Sequence, residues 1–150
     1  PVTDAPAVAE AIDRILARAR RAGASVIHVR NNGGPDDPDA PGAPGWELAT
    51  EVLGGEQIVD KHEANSFAGT ALADLIPTPA EVVVVGMQSE YCVRDSALAA
   101  TRFGHSVSLV RGAHATYDGE RSAAEITRNV EQELERAGVA VVDVADVRFS

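Results

Sequence analysis

Residues 82–85 are four consecutive valines inside the run Glu81–Met87, and no other stretch constrains the fold as strongly. Successive side chains of a strand point to opposite faces, so an unbroken β-branched run suits a strand covered on both sides. That cover comes from helices packed on either face of a parallel sheet. The rest of the chain alternates as such a sheet requires. Residues 5–22 carry Val8, Ile12, Ile15, Leu16 and Ala19 on one helical stripe, with Thr3 or Asp4 as the cap and Gly23 as the stop. Further helices are predicted over 46–53, 67–76 (stopped by Pro77 and Pro79), 92–102 and 122–137. Strands are predicted over 25–29, 57–59, 81–87, 106–110 and 140–147. Residues 31–45, rich in Gly, Pro, Asp and Asn, read as one long loop. The expectation is an α/β fold: one domain over 1–150, with a three-layer, doubly wound, mostly parallel sheet.

Charge narrows the partners. Thirteen basic against 23 acidic residues leave a formal charge of −10, which speaks against a nucleic acid or an anionic membrane surface. No apolar run is long enough to span a bilayer and no leader pattern opens the sequence, so a cytoplasmic location is expected. The single cysteine, Cys92, excludes an internal disulfide framework and a multi-cysteine metal site.

Active sites of open parallel sheets lie at the carboxyl ends of the strands. Cys92 follows the valine strand through a short connection and opens the next helix. Amides at a helix start favour a thiolate and can hold an oxyanion. Position alone leaves two roles open for Cys92, a nucleophile or a small buried hydrophobe. Lys61 ends the 57–59 strand and belongs to the same edge. There it is either a solvated side chain or a cation beside the thiol. His28, His62, His105 and His114 show no paired zinc-ligand spacing, and His28, on an apolar strand, reads as a core residue. Asp36, Asp37 and Asp39 lack calcium-loop spacing and read as solvated loop. Gly33 and Gly34 fit no phosphate-binding fingerprint. Trp46 reads first as a packing anchor.

Two blocks carry a resemblance. The first is Lys61-His62-Glu63-Ala64-Asn65-Ser66-Phe67-Ala68-Gly69-Thr70-Ala71-Leu72. The second is Val84-Val85-Gly86-Met87-Gln88-Ser89-Glu90-Tyr91-Cys92-Val93-Arg94-Asp95-Ser96-Ala97. Together with Gly112-Ala113-His114-Ala115-Thr116-Tyr117-Asp118 and Asn129, they resemble the isochorismatase-like cysteine hydrolases in the family's order. The resemblance implies a Cys–Asp–Lys triad, with Cys92 attacking a carbonyl carbon and Lys61 holding the thiolate and the acid in register. It implies a non-proline cis peptide at Met87–Gln88, and an oxyanion hole made by the Gln88 and Cys92 amides. Phe67, in the lysine block, is the first candidate to wall a substrate pocket, with Trp46, Tyr91 and Met87 beside it; Asn31, at a strand end, either binds substrate or serves a loop turn.

The segment Arg30-Asn31-Asn32-Gly33-Gly34 departs from the Asp-x-His cluster of the family's nicotinamidases. A metal-free site with no cofactor is therefore expected, acting on a small amide or ureido compound. The family's Asp ends a first strand that this sequence does not show. That strand would lie between those at 25–29 and 81–87, and a strand takes roughly five to six residues. The expectation is that a segment of about twenty or more residues carrying it precedes Pro1. The alternatives are hydrolysis of an isochorismate-type vinyl ether, or a non-catalytic relative that binds a ligand or partner. The resemblance further implies a homo-oligomer.

Overall fold

A computed structural model describes residues 2–150. Helix α1 (Ala5–Arg21) starts with Pro6 in its first turn and ends on Arg18, Arg20 and Arg21, whose charges suit the negative end of the helix dipole. Gly23, at φ 69°, makes the left-handed exit that a β-carbon would disfavour. The expected side-chain cap is absent. Asp4 occupies the cap position without a capping hydrogen bond, and the Thr3 hydroxyl donates instead to Asp118 Oδ2 at 3.0 Å.

Strand β1 (Ile27–Asn31) pairs in parallel with β2 (Gln57–Lys61), ending in the pair Asn31–Lys61. Strand β3 (Glu81–Met87) pairs in parallel with β4 (Ser106–Ala115), and β4 with β5 (Ala140–Asp143). All pairing is parallel, as the valine run predicts. Among the described residues the sheet is in two parts, β1–β2 and β3–β4–β5. Among the described residues no strand pairs with one edge of β1 or of β3, where the resemblance sets a further strand.

Strand β4 is the centre of the core and its alternation sorts the layers. Val107 and Leu109 face helices α3 (Arg94–Arg102) and α4 (Ala123–Arg136), packing with Ala97, Ala100, Val130 and Leu134. Val110 and Ala113 face the opposite way, against Ile15 and Ile12 of α1 and against Val147. Helix α4 starts at a true cap, Ser122, whose hydroxyl accepts from Glu125 N.

Several predicted boundaries move. The helix expected over 46–53 does not form. A single 3₁₀ turn, Pro44–Trp46, occupies its start, because Trp46 is drawn back to Asn32 and Arg30. The helix expected over 67–76 shrinks to α2 (Leu72–Leu75). Gly69, at φ 66°, and the side-chain bonds Asn65–Phe67 and Thr70–Ser66 hold the preceding residues in turns. The last strand stops at Asp143, where a 3₁₀ turn, Val144–Asp146, is tied to α1 by the Arg18 guanidinium bonded to the Val144 carbonyl. Strand β1 begins and ends two residues later than expected. Strand β4 runs five residues past its predicted end, through a break in register that carries the pairing from Val84–Leu109 to Gly86–His114.

Candidate active site

The carboxyl ends of β1, β2 and β3 bring together three side chains. Asn31 and Lys61 end paired neighbouring strands, so both side chains rise on the same side of the ladder. Lys61 is 3% exposed, and its ammonium donates three hydrogen bonds: to Asn31 Oδ1 at 2.9 Å, to the Glu63 carbonyl at 2.8 Å and to Cys92 Sγ at 3.2 Å. Three acceptors match the three protons of an ammonium. Among the described residues no carboxylate hydrogen-bonds Lys61 or Cys92.

Cys92 is half-buried and lies in a π turn, Ser89–Val93, that joins β3 to α3. Such turns widen a helix start and recur at functional sites. The Met87–Gln88 peptide is cis. The Gln88 carbonyl accepts from the amides of Tyr91 and Val93, both at 3.2 Å. The Gln88 amide donates to no acceptor among the described residues.

The remaining candidates lie at varied distances from this centre. Asn31, a candidate substrate contact, joins Lys61 to the long loop: its oxygen accepts from Lys61 and its amide nitrogen donates to Asp39 Oδ2 at 2.6 Å. Trp46 donates from Nε1 to Asn32 Oδ1 at 2.7 Å and lies under the Arg30 guanidinium, 3.5 Å from the ring centre. Arg30 in turn pairs with Asp60 at 2.7 Å, and this bond holds the Asp60 carboxyl below the usual carboxylate range. Phe67 stacks on Phe103, with ring centres 4.9 Å apart, and packs against the α3–α4 core. Met87 and Tyr91 are both exposed, Tyr91 at 57%.

Sequence reasoning missed Asp39, taken for solvated loop, which accepts from Asn31. Asp39 gave no signal, since it reaches Asn31 only through the fold of the loop. His28 is the core histidine expected, bonded to Glu56 at 2.8 Å. His105 accepts from Ala80 N.

The profile of the isochorismatase domain matches residues 2–146. The chain belongs to the isochorismatase family. It is 46% identical over 120 residues to a streptothricin hydrolase of Streptomyces noursei, an alignment that takes in 75% of this chain and 44% of that protein. A second streptothricin hydrolase of the same organism is 46% identical over 121 residues, or 78% of this chain and 48% of the other. The chain thus spans about half the length of the curated relatives it matches. The same fold recurs in the solved structure assigned as an isochorismatase hydrolase from Oleispira antarctica. That structure is 26% identical, with TM-score 0.90 over 97% of this chain and 83% of the other. No helix among the described residues of this isochorismatase-family chain is long and apolar enough to cross a membrane.

Proposed function

We propose that the chain is a cysteine-dependent hydrolase that cleaves a C–N bond of a small amide or ureido compound through a covalent Cys92 acyl intermediate. The observation that carries this reading is the 3.2 Å bond from the Lys61 ammonium to Cys92 Sγ at the carboxyl edge of the sheet. The bond sets a buried positive charge beside the half-buried sulfur and holds the sulfur in place at the strand edge. The names of the Streptomyces noursei relatives support hydrolysis.

In this mechanism Sγ adds to the substrate carbonyl carbon, and the carbonyl oxygen takes the electron pair. The Gln88 and Cys92 amides hold that oxyanion. Collapse expels the amine, which takes a proton from a general acid, and water then frees the acyl group from sulfur. The resemblance gives the acid–base role to an Asp that the described residues do not supply beside Cys92. Met87 and Tyr91, both exposed, together with Asn31, Trp46 and Phe67, would wall the substrate. The reading keeps a homo-oligomer, in which a second copy covers some of this exposed apolar surface; light scattering of the purified protein tests it.

A panel of small amides, ureido compounds and streptothricin, read by release of ammonia or amine, tests the activity. Turnover in the parent protein and none in Cys92→Ala is the expected result. Turnover retained in Cys92→Ala overturns the mechanism. A product without released nitrogen from a vinyl-ether substrate would move the reading to isochorismate-type hydrolysis. An inert thiol with no turnover would leave a non-catalytic relative.

A further inference from the structure

A second polar cluster lies behind the π turn and takes no part in the chemistry above. Ser89, three residues before Cys92, is fully buried, and its Oγ is 2.8 Å from His114 Nδ1. His114 is buried too, and its Nε2 is 3.0 Å from Glu131 Oε1 on α4. Glu131 is flanked by Arg111 at 3.6 Å, which also binds Asp143 at 2.8 Å.

A serine, a histidine and a glutamate in a row suggest a second nucleophile at first sight. Burial excludes that role, because no substrate reaches a hydroxyl with no exposed surface. The direction of the bonds is fixed by chemistry. A carboxylate only accepts, so His114 Nε2 carries a proton; Nδ1 of the neutral ring then accepts, and the Ser89 hydroxyl donates.

The register break in β4 makes this contact possible. By carrying the pairing from Val84–Leu109 to Gly86–His114, it brings His114 beside the end of β3, next to the turn. Two residues on, the Thr116 hydroxyl donates to Glu90 Oε1 at 2.6 Å. Consecutive side chains of the turn, Ser89 and Glu90, are therefore tied to β4 and to the residue that follows it. Gln88, whose amide donates to no described acceptor, directly precedes them.

We infer that Glu131, His114 and Ser89 form a positioning strut that fixes the aim of the Gln88 amide in the oxyanion hole, without touching substrate or sulfur. The inference rests on the proposed cysteine mechanism. It separates two properties that a general structural role would move together, the reactivity of the thiol and the capture of an oxyanion.

The test uses the whole protein and two probes. Iodoacetamide alkylates Cys92 and needs only the thiolate. Acetaldehyde adds reversibly to Sγ, so that the carbonyl oxygen becomes the oxygen held by the two amides; its affinity is read as protection of Cys92 from iodoacetamide. Ser89→Ala and His114→Gln, which remove the donor and the acceptor of the 2.8 Å bond, should weaken acetaldehyde protection about tenfold or more. The alkylation rate without aldehyde should stay within about twofold. His114→Asn places an acceptor where Nδ1 stood but loses the bond to Glu131, and should recover part of the protection. Parent-like protection in Ser89→Ala overturns the strut. So does a parallel fall of alkylation and protection, which would mark a general fold role. Absence of alkylation in the parent protein overturns the cysteine mechanism and the strut with it, and is told apart because it needs no variant.

Discussion

The Lys61 ammonium lies 3.2 Å from Cys92 Sγ, although the two residues come from different strand ends on separate parts of the sheet. The other two donors of that ammonium are spent on Asn31 and the Glu63 carbonyl. The nitrogen therefore has one proton left to aim, and it aims it at sulfur. Replacing Lys61 by Met keeps the buried stem and removes the charge. Lys61→Met is expected to slow iodoacetamide alkylation of Cys92 about tenfold at neutral pH. An alkylation rate equal to that of the parent would mean that the charge does nothing for the thiol.

Lys61 and Cys92 were legible in the sequence because short-range patterns fix their place. A residue that ends a parallel strand, and one that follows a strand into a helix, both fall at the carboxyl edge. The four valines and the stripe of Val8, Ile12, Ile15, Leu16 and Ala19 carried the layers for the same reason. What the sequence hid depends on contacts between distant segments. Trp46 was read as opening a helix, but its indole nitrogen is held by Asn32 and its ring by Arg30. Ser89 and His114 are 25 residues apart and meet through a register break that no periodicity announces.

Asn31 stands between the long loop and the buried ammonium. Its oxygen accepts from Lys61, while its nitrogen donates to Asp39. The Asp39 carboxylate can only accept, so it fixes which end of the amide faces Lys61. Asn31→Ala should slow Cys92 alkylation about threefold, the equivalent of one ordinary hydrogen bond. Asp39→Ala, one step further away, should have a smaller effect on alkylation and lower stability by about 1 kcal/mol in urea titration. A larger rate loss in Asp39→Ala than in Asn31→Ala would reverse this order of action.

Acid should weaken the fold in two stages. Burial pushes His114 below its ordinary value of 6.5, against the pull of Glu131. The folded chain then binds the proton less readily than the unfolded chain. Stability from this group is full above pH 6.5 and falls as the pH drops from there towards the lowered folded value. Glu56 is held well below its ordinary value of 4.5 by hydrogen bonds from Arg20, His28 and the Leu53 amide. Its contribution is intact above pH 4.5 and is lost only below it. Melting temperature against pH should therefore decline first below pH 6.5 and more steeply below 4.5. Glu56→Gln should flatten the second decline and spare the first. A curve in which Glu56→Gln leaves the acid limb unaltered would remove Glu56 as its cause.

Helix α4 both closes the core and carries Glu131, so its two kinds of anchor can be compared directly. Leu134 is fully buried among Ala97, Leu109 and Val130, and truncation leaves a cavity that rigid neighbours cannot fill. Leu134→Ala should cost about 2–5 kcal/mol. Ser122 caps the same helix through one bond to Glu125 N at 3.2 Å, and Ser122→Ala should cost about 1 kcal/mol. The two positions are separated by about 18 Å along the helix at 1.5 Å per residue, and they share no partner. Their effects should add to within about 0.5 kcal/mol in the double variant. Urea denaturation of the three variants checks this. A double variant much less destabilised than the sum would show that the first turn of α4 frays without its cap and no longer depends on the core beneath Leu134.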